Sequence, residues 1–246
     1  PEMRAAYTVA ASSTAVTTLG FLSGDRSLVV MSEDGAVSTW GLVRRADAPS
    51  GWKLTQIHTL RPHNAPVTAF APSQRVKGFV TGDMKGNLFL HHATSSQTLL
   101  RLANSEFPIR AVAFAPKGDG LIALDGAGQL SLYQVQNAYP EVTLETLFGK
   151  VWYEGYDQPA HVWQSSSGSD DVEPKLGLLP LAFGTLKGTM YALFLAVPIA
   201  ILAAMCTSQF MHQDLRAKIK PIIEVMAALP TVVLGFLAGL WLAPLL

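Results

Sequence analysis

The first 148 residues alternate short apolar runs with clusters of Gly, Asp, Asn and Pro. Strands bounded by turns have this pattern. The clearest runs are Leu28–Met31, Val67–Phe70, Gly78–Thr81, Ala111–Phe114, Leu121–Leu124 and Gln129–Tyr133. Tight turns are predicted at Asp34-Gly35, Lys85-Gly86 and Ala127-Gly128. Glycine accepts the positive φ that hairpin turns require, so the pattern predicts an all-β region.

This β-rich pattern repeats along the chain. Gly35, Gly86 and Gly128 follow one another at intervals of 51 and 42 positions, and the apolar residues around them recur with them. A period in the forties is typical of the four-stranded blades of a β-propeller. Residues 1–148 are therefore predicted to form about three blades.

Two segments carry recognisable motifs of the repeat. His63–Pro72 has a histidine followed by the Val-rich start of a strand, and Val37–Trp40 ends a strand in tryptophan. Both resemble WD40 repeats, and the resemblance covers about residues 10–140. The match is degenerate, since Gly41 stands where the family has Asp, and His91 and Tyr133 stand where it has Trp.

The WD40 resemblance implies only part of a propeller, because closed propellers have four to eight blades. The sequence begins with Pro1 and ends in an apolar run, Trp241–Leu246. We expect both ends to lie inside a longer protein, with the remaining blades upstream of Pro1.

Polar residues almost vanish after Pro180. Leu186–Cys206 is 21 residues long, and at about 1.5 Å per residue such a helix spans the roughly 30 Å hydrocarbon core of a bilayer. Ile222–Leu246 is a second apolar segment, of 25 residues. Only 15% of the chain is charged, against roughly 25% in an ordinary soluble domain. We therefore predict two transmembrane helices, at 186–206 and 222–246.

The charges of the short loops predict the orientation of these helices. The 208–220 loop holds more basic than acidic residues, and the approach to the first helix holds more acidic residues. In the loop, the basic residues are Arg216, Lys218 and Lys220, and the acidic residue is Asp214. In the approach, the basic residues are Lys175 and Lys187, and the acidic residues are Asp170, Asp171 and Glu173. Basic loops stay in the cytoplasm, so residues 1–185 are predicted to be periplasmic.

An ordered set of short motifs runs through residues 179–236. They are Leu179–Leu181, Gly184–Leu186, Ala196–Pro198, Lys220-Pro221, Ile223-Glu224 and Ala227–Phe236. In this order they resemble the permease subunits of phosphate-specific ABC importers. The resemblance implies a multi-pass half-channel in the inner membrane of a bacterial cell, in a channel-subunit variant with a large periplasmic insert.

The permease resemblance also implies partners. These are a second permease subunit, an ABC ATPase dimer, a periplasmic phosphate-binding protein and the lipid bilayer. The sequence has no Walker motif of the Gly-x-x-x-x-Gly-Lys-(Ser/Thr) type. We therefore expect no enzyme activity and no bound cofactor in this chain, with ATP hydrolysed by the partner ATPase.

The predicted fold class is thus multidomain: a partial WD40-like, all-β propeller followed by an α-helical transmembrane permease segment. Residues 1–148 would form the propeller, residues 149–185 a periplasmic linker, and residues 186–246 the first part of the permease domain. Ser165–Asp171 is the most linker-like stretch, because it is rich in Ser, Gly and Asp.

Three residues are candidates for the translocation path or a helix interface. Glu224 is either a solvated residue at a helix end or a member of the path or of a partner interface. Pro230 removes a backbone hydrogen bond, which either shapes packing or opens a polar site on the inner channel wall. Thr231 places a hydroxyl beside that break.

Other chemistries have little support in the sequence. The 18 basic and 18 acidic residues supply no positive excess for nucleic acid. The single cysteine, Cys206, and scattered histidines do not have metal-ligand spacing. His91 and His92 adjoin in a predicted strand and would point to opposite faces. Structural roles are predicted for the histidines and for Asp83, Asp119 and Asp125, which occupy turns and strand ends.

A second function fits the same organisation. The chain could be a membrane-anchored propeller that binds proteins or senses a signal, with the helices serving only as an anchor. Pro198 and Pro230 favour the permease, because an anchor requires only apolar length.

Overall fold

The computed structural model describes residues 8–46, 48, 51–166, 173–227 and 230–245. The chain divides into two compact units, residues 1–183 and residues 184–246. Part of the predicted linker, residues 167–172, lies outside the described residues.

The first unit consists mainly of antiparallel strands. They are β1 Val16–Phe21, β2 Ser27–Ser32, β3 Val37–Arg44, β4 Trp52–Thr59, β5 Val67–Pro72, β6 Gly78–Asp83, β7 Asn87–His92, β8 Gln97–Ala103, β9 Ile109–Phe114, β10 Gly120–Asp125, β11 Leu130–Gln134, β12 Trp163–Gln164 and β13 Lys175–Leu176. A short helix, α1 Leu144–Phe148, follows β11. Thr143 caps α1 by accepting a hydrogen bond from the backbone of Thr146.

The strands pair with their neighbours in chain order. Strands β1 to β4 form one four-stranded sheet, β5 to β8 form a second, and β9 to β11 form a three-stranded sheet. Strands β12 and β13 form a separate two-stranded sheet. The strands predicted from the apolar runs are confirmed, each within a residue or two of its predicted position.

The predicted hairpin turns are also confirmed. Gly35, Gly86 and Gly128 have φ values of 84°, 80° and 83°. Gly86 is confined as well, because a Cβ atom at this position would lie 1.9 Å from the carbonyl oxygen of Ser105. Only glycine fits at this turn without a shift of the backbone.

Two apolar clusters stabilise these sheets. One joins the first and second sheets through Val29, Val37, Val67 and Phe79, all fully buried. The other joins the second and third sheets through a set that includes Val80, Leu88, Ile109 and Ala123. The strands follow the sequence pattern because their apolar positions fill these two clusters.

The second unit contains helices. Most of α2 Leu179–Met205 lies in it, and the chain continues through a π-helical turn, Cys206–Phe210, and helices α3 Gln213–Ala227 and α4 Thr231–Leu237. A π-helical turn, Ala238–Leu242, and a 3₁₀ turn, Ala243–Leu245, follow α4. Leu179–Phe210 is long and apolar enough to cross a bilayer, with 32 residues and a mean hydropathy of 2.2. The helix predicted at 186–206 lies within this span.

The prediction of a second transmembrane helix at 222–246 is wrong, because this segment is not a single helix. The segment 222–246 is divided between α3 and a separate apolar stretch, Thr231–Leu245, that is too short to qualify as a span. Pro230 has φ −60° and ψ 120° and precedes α4 as its N-cap. Its ring and missing N–H end the helix here instead of kinking it.

The predicted fold class is therefore corrected in both parts. The sheets form a β-rich region, but over the described residues they do not close into a propeller. The same residues contain one helix that could cross a membrane, so a multi-helix permease domain is not present in them. The apolar residues before and after Pro230 are continuous in sequence, but they belong to two separate elements, α3 and α4.

Candidate functional site

A buried chain of hydrogen bonds lies in the second sheet. The Nδ1 atom of His63 is 2.9 Å from the Oδ2 atom of Asp83, and its Nε2 atom is 2.7 Å from the hydroxyl of Thr81. The Thr81 hydroxyl is also 3.0 Å from His91 Nε2, and His91 Nδ1 is 3.0 Å from the Thr98 hydroxyl. We call His63, Thr81, Asp83 and His91 the His63 network.

One proton arrangement satisfies the whole His63 network. The hydroxyl of Thr98 donates to His91, whose Nε2–H donates to Thr81; the Thr81 hydroxyl then donates to His63. The Nδ1–H group of His63 donates to Asp83. Both imidazoles are neutral in this arrangement. Burial lowers the pKa of His91 to about 3, with repulsion from His63 adding to the effect.

The His63 network also fixes a turn. Asp83 Oδ1 accepts hydrogen bonds of 2.9 Å from the backbone N–H groups of Lys85 and Asn87. Burial would raise the pKa of Asp83, but hydrogen bonds from Asn87 and His63 outweigh it and lower this pKa. The predicted turn role of Asp83 is confirmed, and this network therefore stabilises the sheet.

The third sheet repeats this arrangement at Asp125. Its Oδ1 atom accepts from the backbone N–H groups of Ala127 and Gln129, and its Oδ2 atom accepts from the Ser105 hydroxyl. Asp125 is 2% exposed and lies at the end of β10, as predicted. Its role is to close the turn around Gly128.

The three residues predicted for the translocation path lie on two different helices. Glu224 is exposed in α3, whereas Pro230 precedes α4 and Thr231 is its first residue. The carbonyl oxygen of Pro230 accepts hydrogen bonds from the N–H groups of Val233 and Leu234. Within the described residues, no hydrogen bond or ion pair joins Glu224 to the other two.

Helix α3 has one polar and one apolar face. Leu215, Ile219 and Ile222 recur at spacings of four and three residues and share one side of the helix. Glu224 and Lys220 lie on the opposite side, one turn apart. This amphipathic pattern is typical of a helix at a membrane interface or against another helix.

A cleft in the first unit was not anticipated from the sequence. Residues 151–157, which we call the strap, cross the face of the first sheet. His58 Nε2–H donates to the carbonyl oxygen of Trp152 at 3.1 Å, and the Arg44 N–H donates to Asp157 Oδ1 at 2.9 Å. Tyr153 of the strap is only 2% exposed. These contacts fix both ends of the strap against β3 and β4.

Two carboxylates fix the centre of the strap: Glu154, which belongs to the strap, and Glu173, which lies outside it. Glu154 accepts hydrogen bonds from the Ser27 hydroxyl at 2.5 Å and from Lys77 Nζ at 2.8 Å. Glu173 accepts from the Glu154 backbone N–H at 2.9 Å and from the Thr94 hydroxyl. Burial raises the pKa of Glu173, although hydrogen bonds from Thr94 and Glu154 oppose this shift.

The space between the strap and the first sheet is a cleft of about 610 Å³, which we call the strap cleft. Its walls are mostly apolar and aromatic. They include Trp40, Trp52, Leu54, Ile57, Trp152 and Tyr156. Clefts of a few hundred to a thousand Å³ with such walls are typical of small-molecule sites. The density of aromatic residues near position 152 was the signal available in the sequence.

Comparison with known proteins adds one observation. No protein-family model matches the chain. Over 74 residues the chain is 31% identical to the "Probable ABC transporter permease protein YqgH" of Bacillus subtilis strain 168. The chain is thus similar to an ABC transporter permease. The matched stretch is 30% of this chain and 24% of YqgH, so the chain spans about a quarter of that relative's length.

This similarity supports a relationship to ABC permeases in general.

Proposed function

We propose that the protein is a membrane permease subunit of an ATP-driven importer of inorganic phosphate and contributes to its translocation channel. The observation that carries the proposal is the 31% identity with a probable ABC transporter permease. The span Leu179–Phe210 supplies a helix able to cross the bilayer.

Phosphate is proposed as the substrate from the ordered motifs of residues 179–236. The motif Ala196–Pro198 lies in the middle of α2, and the motif that contains Pro230 and Thr231 includes the break before α4. A proline break exposes backbone polar groups that need partners inside a membrane protein. The Thr231 hydroxyl at this break is the group that we propose lies along the phosphate path.

The proposed location is the bacterial inner membrane, with residues 208–220 in the cytoplasm and residues 1–185 in the periplasm. Arg216, Lys218 and Lys220 in α3 support this orientation. The proposed partners are a second permease subunit, an ABC ATPase dimer and a periplasmic phosphate-binding protein. No cofactor is proposed for this chain, since the ATPase would bind the ATP.

The orientation is tested by labelling with a thiol reagent that does not cross membranes. Cysteine is introduced at Ser166 or at Gln213 in a Cys206→Ala background, in intact cells without an outer-membrane barrier. We expect labelling at position 166 and protection at position 213. Labelling at 213 with protection at 166 would reverse the proposed topology.

The transport role is tested in a bacterial host that lacks phosphate uptake. The full-length gene is expressed with all its partner subunits, and we expect uptake to be restored. Thr231→Val should lower uptake at matched membrane levels, whereas Ser208→Ala, which removes another exposed hydroxyl of the helical unit, should not. Wild-type uptake in Thr231→Val would remove this residue from the path.

A second candidate function is a membrane-anchored binding or sensing module built from the β-rich region. The strap cleft favours it, because a transport channel does not require a 610 Å³ cleft in the β-rich unit. Failure of phosphate uptake with all partners present, in cells where the protein reaches the membrane, would favour this alternative.

A further inference from the structure

Helix α3 carries an exposed apolar arc on one side. Leu215, Ile222 and Ile223 are 51%, 58% and 51% exposed, and Ile219 is partly buried. At about 100° of rotation per residue, these four side chains fall within an arc of about 100° around the helix axis. Continuous apolar surface of this kind marks a site of contact with another apolar body. We therefore expect the arc to be buried in the assembled protein or in a membrane.

Basic side chains border the apolar arc on both sides. Lys218 lies one turn before Ile222 at one border, and Arg216 lies two turns before Ile223 at the other. Such side chains lay their aliphatic stems along apolar surface and extend their charged ends into polar surroundings. A protein partner packed over the arc would have to desolvate both cations, whereas lipid head groups accept them. The two borders therefore favour a membrane surface as the partner.

The position of α3 in the chain places it beside a possible membrane span. The apolar span ends at Phe210, and α3 begins at Gln213. Met211, between them, has φ −89° and ψ 131°, which is extended backbone, so the chain leaves the helical path before α3 begins. A helix tethered this closely to a span is held at high effective concentration near the bilayer surface. A modest affinity for lipid is then sufficient to keep α3 there.

The proline inside α3 fits the same placement. Pro221 has no N–H group, so the carbonyl of Ala217 lacks the donor that a helix normally supplies one turn later. By the rotation of the helix, Ala217 and Pro221 both lie on the side opposite the apolar arc. Inside hydrocarbon the freed carbonyl would need another protein group as a partner. On the side of a surface helix that faces water, a water molecule can bind it.

We propose that α3 lies in the plane of the cytoplasmic membrane surface and binds anionic lipid head groups. The apolar arc enters the edge of the hydrocarbon, Arg216 and Lys218 contact the head groups, and Lys220 and Glu224 face water. Amphipathic helices with basic borders bind membranes in this way, and the cytoplasmic leaflet carries the anionic lipids. The inference rests on the membrane location in the proposed function, but not on phosphate as the substrate.

The placement is tested by electron paramagnetic resonance of nitroxide labels in the full-length protein. The protein is reconstituted in nanodiscs of equal parts phosphatidylcholine and phosphatidylglycerol. Ile222→Cys labels the apolar arc and Ala217→Cys the opposite side, each in a background without Cys206 or any other cysteine. Oxygen collides with labels in hydrocarbon, and a nickel chelate collides with labels in water. We expect the ratio of oxygen to nickel collisions to be severalfold higher at position 222 than at position 217.

Other placements of α3 give different results at the same two positions. A high ratio at both would place α3 inside the bilayer, and a low ratio at both would place it in water. Protection of position 222 from both reagents would show that a protein partner covers the arc. Each result would overturn the inference alone if a label at Leu195→Cys, in the middle of the apolar span, lies in hydrocarbon. A label in water at position 195 would overturn the membrane location as well.

The charge of the lipid tests which head groups α3 binds. Each basic residue near an anionic surface strengthens binding about fivefold. Nanodiscs of phosphatidylcholine alone should therefore lower the ratio at position 222. In the mixed nanodiscs, Lys218→Gln should lower it as well, and Lys220→Gln, the same change on the water side, should lower it less. An unchanged ratio without phosphatidylglycerol, or equal effects of the two glutamine variants, would overturn the assignment to anionic head groups at the border of the arc.

Discussion

His63 Nδ1 lies 2.9 Å from Asp83 Oδ2, and neither side chain is exposed to solvent. This contact ends a continuous series of hydrogen bonds that begins at Thr98 and passes through His91 and Thr81. Because each member satisfies its neighbour, the second sheet can bury two imidazoles and a carboxylate.

Removal of Asp83 should therefore destabilise the first unit strongly. Asp83→Ala leaves the N–H groups of His63, Lys85 and Asn87 without their acceptor, and we expect a loss of about 3 kcal/mol. Thermal unfolding followed by tryptophan fluorescence measures the effect. Asp119→Ala, which changes an exposed turn aspartate, is the control and should have little effect. Similar melting of the two variants would contradict the role assigned to Asp83.

Alanine substitutions at Gly86 and Gly128 distinguish two sources of destabilisation at a turn: backbone strain at positive φ and steric collision of the added Cβ atom. Both have positive φ, but a Cβ at Gly86 would collide with Ser105, whereas a Cβ at Gly128 would meet nothing within 4 Å. Gly128→Ala should cost about 1–2 kcal/mol from backbone strain alone. Gly86→Ala should cost clearly more. Equal unfolding midpoints for the two variants would show that the collision is relieved without cost.

His92 makes the stability of the first unit depend on pH. Burial, aided by repulsion from His58, lowers the pKa of His92 from 6.5 to about 4. The unfolded chain therefore binds a proton more readily than the folded chain does. The free energy of unfolding consequently decreases as pH falls from about 6.5 towards 4. His92→Gln should flatten the dependence in that window, and His212→Gln, at an exposed site, should not. Parallel profiles for wild type and His92→Gln would contradict this assignment.

Thr39 and Thr81 should respond in opposite ways to the same substitution. Thr81 Oγ1 bridges His63 and His91, so Thr81→Val should cost about 2 kcal/mol. Thr39 Oγ1 has no partner within the described residues, so Thr39→Val should stabilise the fold by about 1 kcal/mol. Chemical unfolding of the ligand-free protein compares them. Destabilisation by Thr39→Val would show that its hydroxyl is satisfied.

The inner strands and their turns could be predicted from the sequence, because they depend on local patterns of apolar residues and glycine. Apolar residues at Val67 and Val80 fill the clusters between sheets, and glycine at position 86 is required by backbone geometry. The outer strands β4 and β8 were not located individually. Their side chains are mostly half-buried or exposed, so their apolar pattern is weak.

Two other features depended on information that the local pattern does not contain. The apolar pattern predicts one helix through Pro230, whereas the structure has α3, with a polar face, before this residue and a separate apolar stretch after it. The strap cleft depends on contacts between residues far apart in sequence, such as Ser27 with Glu154 and Thr94 with Glu173. Neither pair has a recognisable motif.

The central proposal is that the protein is a permease subunit for phosphate. It is tested most directly with the full-length protein and its partner permease, ATPase and binding protein in sealed proteoliposomes. We expect radiolabelled phosphate to accumulate only when ATP is present on the ATPase side, and Thr231→Val to reduce the initial rate. ATP hydrolysis by an assembled complex without phosphate accumulation would contradict the proposal.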